Sequence, residues 1–396
     1  MPPPTAWECP IELPRFLLYS HDGFGIGHFA RNVRVGAALA RLIPDASVLL
    51  VCGLQTHVPL PAGVDILTLP SMRKVAHGRY EPRSLRVEPA AVQRLRLGLL
   101  EQTVRDFDPD VVLVDRHPDG LAGELRSSLD IAAEAGAALA LGLRDVLDEP
   151  TVVADEWPAH VHRDIAARFD EVLVYGEQEF LDFAVEYSLP AELSAKLRYV
   201  GLVGPGGAAE PRFRRRREDD AAPFVVASVG GGQDGHRLLE LLLTAAADAG
   251  WRGVALAGSQ MSAADRRSLE PLADASGMRL LDDSSDVAEL LQRADVSVSM
   301  AGANTVSEIL AAGCRSVLLP RTEPRTEQLI RARLLEESGR VIVVHPDEAT
   351  PELLRTAVEQ SLATAPPQPV ELNGADRAAL ALGRLAEGRP NLRATA

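Results

Sequence analysis

The sequence has little of what marks exported, metal-binding or membrane-spanning chains. It holds 3 cysteines in 396 residues, Cys9, Cys52 and Cys314, far apart and without metal-site spacing. We therefore expect reduced thiols and a cytoplasmic location. The longest apolar run, near Ala46–Leu54, is far short of the ~18 residues that span a bilayer. Met1–Thr5 shows no basic or apolar export signal, so we expect at most peripheral membrane contact.

Positive charge is also scarce. Lys and Arg total 41 against 56 Asp and Glu, a net charge of -15, and proteins built around nucleic-acid phosphates normally carry a basic excess. We therefore exclude a nucleic-acid partner. Apolar residues make up 46%, enough for a large core, and at roughly 150 residues per domain the length predicts two or three domains.

Short apolar runs alternate with amphipathic stretches along the whole chain, which predicts an α/β fold with parallel sheets. In the first half the predicted strands are Arg15–Ser20, Ser47–Cys52, Val64–Leu69, Val111–Asp115, Ala137–Leu143 and Glu171–Val174, with helices in Phe29–Leu42, Pro89–Asp106 and Leu121–Ala135. In the second half the predicted strands are Phe224–Val229, Gly253–Ala257, Met278–Leu281, Val296–Ser299, Ser316–Leu319 and Val341–Val344.

Two composition changes divide the chain. We predict an N-terminal domain over 1–204, a Gly-, Pro- and charge-rich linker over 205–222 and a C-terminal domain over 223–364. Residues 365–396 form a second linker and a helix, Gly374–Glu387, that packs back toward the first domain. Phe16–His28 aligns with Phe224–His236 at an offset of 208. The similar openings predict two Rossmann-like domains facing across a cleft.

A glycine loop follows the first predicted strand and ends in Gly25, Gly27 and His28. Glycine lets a ligand approach the backbone N–H groups, and the following helix start favours an anion. The dinucleotide pattern G-x-G-x-x-G fails, because His28 and Ala30 stand where it needs other residues, so NAD is not expected. A plain strand–glycine–helix turn remains an alternative.

His28 stands at the exit of this loop, with Arg31 and Asn32 in the same helical turn. This is the carboxyl edge of the sheet, where open α/β folds bind ligands. The positive helix end lowers a histidine pKa and keeps the ring neutral, as a general base requires. The alternative is that His28 caps its own helix.

The second domain opens with a comparable loop, Gly230-Gly231-Gly232-Gln233. Its run of N–H groups suits a diphosphate. It lacks the Gly-Lys-Ser/Thr ending of a P-loop, so we do not expect nucleoside triphosphate hydrolysis.

The most specific pattern is Ala294–Gly313, a strand followed by a Gly302-Ala303 turn and a helix over Thr305–Ala312. A later helix begins near Glu327 and Gln328. Thr305 to Glu308 also fits a capping box, which would satisfy helix N–H groups without any ligand. That alternative stays open.

These stretches resemble the donor half of the GT-B glycosyltransferases, most of all the MurG-like UDP-N-acetylglucosaminyltransferases of family 28. The similarity is detailed over about 228–339 and looser over 19–39, and 55–220 carry no matching motif. It implies the GT-B fold and transfer from a nucleotide sugar, expected to be a UDP-sugar, to a small-molecule acceptor. The implied roles are phosphate binding by Gly302, Ala303, Asn304 and Thr305, ribose binding by Glu308, sugar binding by Gln328, uracil binding near Ser284, and base catalysis by His28.

The sequence departs from the family pattern at two places. Ala301 stands where the family usually has serine, and Glu327 where a second glutamine is common. A carboxylate facing the sugar would suit a sugar with a different hydroxyl pattern or an amino sugar that pairs with the charge. No D-x-D motif is in a fitting position, so we expect an inverting, metal-independent reaction, with the nucleotide sugar as co-substrate and no further cofactor.

Polar residues on the acceptor side follow two neighbouring strands. Asp115 and His117 come after one strand, and Arg144 and Asp145 after the next. Parallel strands end at one sheet edge, so these residues are predicted to lie beside His28. Asp115 or Asp145 could orient His28, or the arginines could hold an acceptor. Ion pairs without a catalytic role are the alternative.

A basic stretch, Met72–Arg86, includes Arg79 and four further cationic residues against one glutamate. Glycine, proline and the lack of an apolar period predict a mobile loop. We expect it to close over an anionic acceptor, for which a lipid head group would also qualify. A solvated charged loop is the alternative.

Two other functions compete with glycosyl transfer. Gly25–Arg31 also resembles the G-x-G-H-x-x-R opening of the pseudaminic-pathway nucleotide-sugar hydrolases, in which water is the acceptor. The second alternative is a binding module that keeps the fold without catalysis. The chain is expected to be a monomer or a homodimer.

Overall fold

The protein is known from a computed structural model, which describes residues 13–20, 27–54, 59–76, 79–204, 222–282 and 287–388. Two parallel β-sheets flanked by helices form its framework. The predicted site residues Gly25 and Ser284 lie outside the described residues, as does the predicted linker except for residue 222. Their roles stay predictions.

The central strands of the first sheet are apolar segments buried on both faces, as parallel strands require. Its order is β3-β2-β1-β6-β7-β8-β9, and β4 and β5 form a separate pair. The strands are β1 (Arg15–Tyr19), β2 (Ser47–Cys52), β3 (Val64–Thr68), β4 (Met72–Ala76), β5 (Arg79–Pro82), β6 (Val111–Asp115), β7 (Ala138–Arg144), β8 (Glu171–Tyr175) and β9 (Leu197–Tyr199).

Helices connect these strands and cover the sheet. A single 3-10 turn at Leu121–Gly123 precedes α3, so the helix predicted from Leu121 begins five residues late. The helices are α1 (Gly27–Leu42), α2 (Pro89–Phe107), α3 (Arg126–Glu134), α4 (Pro150–Glu156), α5 (Ala159–Arg168), α6 (Phe183–Glu186) and α7 (Ala191–Ser194).

The second sheet repeats this architecture in the order β12-β11-β10-β13-β14-β15. Its strands are β10 (Phe224–Ser228), β11 (Arg252–Leu256), β12 (Arg279–Leu281), β13 (Val296–Ser299), β14 (Ser316–Leu318) and β15 (Ile342–Val343). Its helices are α8 (His236–Ala249), α9 (Ala263–Ser276), α10 (Val287–Arg293), α11 (Ala303–Ala312), α12 (Glu327–Glu337), α13 (Pro351–Ala363) and α14 (Gly374–Glu387). The predicted class, α/β with two parallel sheets, is confirmed.

Both sheets reverse their strand order beside the first strand. In the first sheet the reversal lies between β1 and β6, where Phe16 pairs with both Val48 and Val111. In the second it lies between β10 and β13. Open α/β sheets bind ligands at the carboxyl ends of strands beside such a reversal. The fold therefore places the candidate site at the loops that follow these four strands.

The basic stretch 72–86 differs from the prediction. It contains an antiparallel pair of strands, β4 and β5, rather than a mobile loop. Met72, which is 1% exposed, packs with Val92 and Leu121 against the partly buried Tyr80. This apolar anchor was hidden among the charges, because a short hairpin needs only a few alternating apolar residues.

Of the helices in the described residues, the last, α14, lies against the first, α1. Ala378, Ala379 and Leu382 belong to the same core cluster as Val35 and Leu39 of α1. Small residues allow the two helices to approach closely. Among the described residues, no helix is both long and apolar enough to cross a membrane.

Candidate functional site

His28 and Asp115 lie side by side at the carboxyl edge of the first sheet. His28 is in the first turn of α1, and Asp115 is the last residue of β6. His28 Nδ1 lies 3.1 Å from Asp115 Oδ2. Arg31 Nη2 donates to both Asp115 oxygens at 2.7 and 2.8 Å. Of the two aspartates predicted to orient His28, Asp115 makes the contact, whereas Asp145 binds Arg331.

The surroundings of this pair set its protonation. Burial lowers the pKa of His28; Asp115 opposes this, while Arg31 and Arg144 lower the pKa further. Burial would raise the pKa of Asp115, but Arg31 and His28 bring it down to about 2. At neutral pH His28 is therefore neutral and Asp115 ionised. An ionised Asp115 accepts a hydrogen bond from Nδ1–H, the tautomer in which Nε2 carries the basic lone pair.

The first turn of α11 brings both glycine loops together. Its N-cap is Gly302, and Asn304 Nδ2 lies 3.5 Å from the carbonyl oxygen of Gly27 in the first domain. A Cβ added to Gly230 or to Gly302 would lie 3.9 Å from Thr305 Oγ1. The predicted phosphate-binding segments thus meet at one helix N-terminus, which favours an anion.

The second glycine loop has structural demands of its own. Gly232 has φ 93°, a conformation that side chains disfavour, and a Cβ there would lie 2.1 Å from the carbonyl oxygen of Ala257. Gly230 also has positive φ, at 60°. Gly231 accepts a backbone hydrogen bond from Gln260 at 2.8 Å, and Gln233 is exposed. Gly232 is therefore required by the fold, and Gly230 and Gly231 are the more open members of the loop.

Glu308, predicted to bind ribose, pairs with Arg34 of α1. Its Oε1 accepts from Arg34 Nη2 at 3.1 Å. Burial raises the pKa of Glu308, against the effect of Arg34. The capping-box alternative is wrong, because α11 begins at Ala303 and Thr305 is already inside the helix. Glu308 instead links the two domains directly beside the helix start.

A group of buried and partly buried charges lies at the junction between the domains. Arg331 of α12 donates to Asp145 through Nε at 2.7 Å and Nη2 at 2.8 Å, and to Glu327 at 3.0 Å. Bidentate guanidinium–carboxylate pairs of this kind are strong and geometrically specific. We call the guanidiniums gathered here the interdomain arginine cluster: Arg116, Arg144, Arg321, Arg325 and Arg331.

The ion pairs of Arg325 also connect the domains. Arg325 Nη1 lies 3.0 Å from Asp148 Oδ2 and also pairs with Glu156. Asp148 accepts hydrogen bonds from the N–H and hydroxyl of Thr326 at 3.0 and 2.9 Å. The loop before α12 is therefore fixed against the first domain.

Glu327 does not face the sugar site as a free carboxylate. It is 3% exposed and pairs with Arg144 at 3.5 Å, Arg321 at 3.3 Å and Arg331 at 3.0 Å. Although burial opposes it, these arginines lower the pKa of Glu327 to about 2. Its charge is already compensated, so Glu327 offers no free carboxylate from which to expect an amino sugar. Gln328 is 7% exposed and accepts from the Arg321 N–H at 3.2 Å.

The other predicted residues fall into three environments. Asn32 is buried and donates to Ser20 Oγ at 3.0 Å, next to the first glycine loop. His117 follows Asp115 in a tight turn, its N–H bonded to the Asp115 carbonyl at 3.0 Å. Arg79 is 73% exposed and pairs with Glu81 at 3.4 Å. Among the described residues, no group of three or more His, Cys, Asp or Glu side chains is arranged to hold a metal ion.

Sequence reasoning missed most of the interdomain arginine cluster. Arg116 was visible only as part of the strand end Asp115–His117, and Arg321, Arg325 and Arg331 follow no recognisable motif. A usable signal was the concentration of arginine around Glu327, four within 321–333. Such a run ordinarily indicates a solvated helix face, and only the structure shows that its Arg331 is fully buried.

Solved structures with the same architecture cover nearly the whole chain. MurG from Acinetobacter baumannii superposes with a TM-score of 0.57 at 15% identity, over 94% of this chain and 98% of that one. UGT2 from Phytolacca americana, solved with UDP-2fluoro-glucose and pterostilbene, gives 0.61 at 12% identity, over 95% and 94%. The protein therefore has the GT-B fold, two parallel-sheet domains whose strand ends meet at a shared junction.

Within that class, residues 227–378 match the glycosyltransferase family 28 C-terminal domain. Two curated relatives, from Proteus mirabilis and Paenarthrobacter aurescens, are named UDP-N-acetylglucosamine--N-acetylmuramyl-(pentapeptide) pyrophosphoryl-undecaprenol N-acetylglucosamine transferase. The first is 36% identical over 74 residues, 19% of this chain and 21% of that protein; the second is 30% identical over 132 residues, 32% and 35%. The chain thus spans a fifth to a third of these relatives. Its fold is GT-B, and its residues 227–378 are similar to the family 28 C-terminal domain.

Proposed function

We propose that the protein is an inverting glycosyltransferase that moves a sugar from a UDP-sugar to a hydroxyl of a small acceptor, with His28 as general base. The observation that carries the proposal is the meeting of the His28 loop with the N-terminus of α11. Gly27, the residue before His28, lies within 3.5 Å of Asn304 in the first turn of α11. A proton acceptor and an anion-binding helix start therefore border the same junction.

In this reaction the protein must remove a proton from the acceptor hydroxyl and stabilise the departing diphosphate. The acceptor oxygen attacks the anomeric carbon, and the bond from that carbon to the diphosphate oxygen breaks, so UDP leaves with the electron pair. His28, oriented by Asp115, takes the hydroxyl proton. The N–H groups at Gly302–Thr305 and around Gly230 stabilise the charge on the departing diphosphate. Attack opposite the leaving group inverts the anomeric configuration.

The choice of UDP rests on the family and its neighbours. The curated relatives are named as UDP-N-acetylglucosamine transferases, and the Phytolacca americana structure holds a UDP-sugar analogue. Two sets of reactions test the proposal: the protein with UDP-sugars and a metabolite extract, and the protein with UDP-sugars alone. A mass gain of one sugar unit, dependent on extract, is expected. Free sugar released equally in both sets would indicate a nucleotide-sugar hydrolase. Absence of UDP binding would argue against both the transferase and the hydrolase.

The role of Glu308 can be separated from its ion pair with Arg34. We expect Glu308→Gln to weaken UDP binding by ~1–2 kcal/mol, because a ribose hydroxyl loses a charged acceptor. The matched variant Arg34→Gln leaves Glu308 without its interdomain partner, so it should bind UDP at least as tightly as the wild type. Isothermal titration with UDP measures both. If Glu308→Gln and the wild type bound UDP with equal affinity, Glu308 would serve only as an interdomain contact.

Chelation tests how the leaving diphosphate is stabilised. Helix N–H groups and glycine amides are proposed to carry this charge. Initial rates should therefore be unchanged after treatment with EDTA and removal of the chelate. Complete loss that Mg²⁺ or Mn²⁺ restores would overturn this part of the proposal.

A further inference from the structure

Arg116 differs from its neighbours in the interdomain arginine cluster. Arg321, Arg325 and Arg331 each pair with two carboxylates, and Arg144 pairs with Glu327. Within the part of the chain that the structure describes, Arg116 forms no ion pair. It is nevertheless only 7% exposed, and its Nη1 is buried without a hydrogen-bond partner. Burying an unpaired charge is costly, so such a group calls for an anion.

The backbone holds Arg116 in position at some cost. Its φ of 69° is in the left-handed region, which a residue such as arginine rarely adopts. The Arg116 N–H donates to the Gly142 carbonyl at 2.8 Å, which fixes the turn to β7. Residues kept in this conformation cluster at binding sites, where the surrounding structure enforces it. Because Arg116 directly follows Asp115, the turn fixes its backbone beside the His28–Asp115 pair.

The charge around Arg116 is not balanced. Burial first, and then the charges of Arg144 and Arg325, lower the pKa of Arg116 to about 9, and Glu156 and Glu327 only partly oppose them. Arg144 carries a second unsatisfied buried atom, Nε. Its partner Glu327 is shared with two other arginines. Positive charge is therefore in excess around Arg116 and Arg144.

We propose that Arg116 and Arg144 form an anion subsite that binds a carboxylate or phosphate group of the acceptor. The proposal rests on the proposed glycosyltransferase function, and it names the class of acceptor. Planar guanidinium groups match both kinds of oxyanion. Arg144 also acts electrostatically on His28, so an anion held here lies near the base, with the acceptor hydroxyl directed at His28.

This assignment moves the anion site away from the hairpin that the sequence favoured. Arg79 on β5 is 73% exposed, where water screens its charge and an ion pair contributes little. Arg116 is desolvated, so its attraction for an anion is stronger.

Direct titration tests the subsite. Sodium benzoate and inorganic phosphate are titrated separately into the full chain by calorimetry, with and without saturating UDP, which keeps phosphate from the donor site. We expect the wild type to bind at least one anion and Arg116→Gln to bind it about tenfold more weakly. Arg333→Gln, an exposed arginine of α12, is the matched control and should match the wild type. The two probes separate a carboxylate from a phosphate preference.

A stability measurement separates binding from a structural role. Since Arg116→Gln removes a buried unpaired charge, its melting temperature should rise. A variant that melts lower, or does not fold, would make Arg116 structural and overturn the proposal. The proposal would also be overturned if the wild type bound neither anion, or if Arg116→Gln bound the anion as tightly as the wild type. It would be overturned as well if anion affinity fell only in the double variant Arg79→Gln, Arg83→Gln. Absence of UDP binding and sugar transfer would instead refute the proposed function, and the titration without UDP would still decide the subsite.

Discussion

Replacing His28 with alanine is expected to lower kcat by about 10²–10⁴-fold, the usual contribution of a general base. The affinity for UDP should stay nearly unchanged, because the proposed donor contacts lie on α11 and on the loop after β10. Initial rates at saturating donor and calorimetric titration with UDP measure the two effects separately.

The chain supplies its own control for this experiment. His236 occupies the matching position at the start of α8, 208 residues further on, and its Nε2 lies 2.8 Å from Ser268 Oγ. His236→Ala should therefore retain wild-type kcat. A loss below about threefold in His28→Ala, or an equal loss in both variants, would remove His28 from the mechanism.

The pH dependence follows from the same geometry. The base must be neutral, and burial lowers the pKa of His28 below its ordinary value of 6.5. The rate should therefore hold as the pH falls through 6.5 and decline only at lower pH. Asp115 raises the pKa of His28, so Asp115→Asn should shift the acid limb of the rate profile to still lower pH. It should also reduce kcat, because the carboxylate that stabilises the tautomer with the proton on Nδ1 is gone. A wild-type acid limb above pH 6.5 would contradict this assignment.

Replacing Arg331 with methionine is expected to give the largest loss of stability, about 3–5 kcal/mol in the free energy of unfolding. The Arg331 side chain is 0% exposed and neutralises Asp145 and Glu327 from opposite domains. Its Nη1 also satisfies the Ala301 carbonyl at 2.8 Å. Without it, Asp145 stays buried without its ion-pair partner and Glu327 keeps only Arg144 and Arg321, which costs more than the original pairs contributed.

Urea unfolding followed by circular dichroism measures this loss, and Arg333→Met on the exposed face of α12 is the matched control. The control should change the midpoint by little, since exposed substitutions rarely exceed ±0.5 kcal/mol. An Arg331→Met variant as stable as the control would show that the junction relaxes without its ion pairs.

The strands were predictable because their signal is local. Ser47–Cys52, Val111–Asp115 and Val296–Ser299 have the predicted bounds, since a buried parallel strand is a continuous apolar run. The three-residue strand Leu197–Tyr199 was missed because it is short and alternates with Arg198. The N-terminus of α11 was misjudged by two residues, because Gly302 caps it rather than Thr305 and both are acceptable N-cap residues.

The candidate site was predictable only in part, for a related reason. The glycine loops and His28 are recognisable from short sequence motifs, and the position of Asp115 followed from the rule that parallel strands end at one sheet edge. The pair Asp145–Arg331 joins residues 186 positions apart. No pattern in either segment specifies that contact, which depends on how the two domains meet. Arg116 was hidden in the same way, because a strand-end arginine is ordinarily solvated.

The contact between α1 and α14 has a consequence for how the protein is made. Ala378 and Leu382 complete the core around Val35 and Leu39, yet they are synthesised more than 330 residues later. Domains tend to fold in order of synthesis, and α1 can pack on β1 and β2 early, but its side toward α14 stays uncovered until Gly374–Glu387 has left the ribosome. Until then α1 presents an apolar stripe to solvent or to a chaperone. Truncation before Gly374 should therefore damage the beginning of the protein rather than its end.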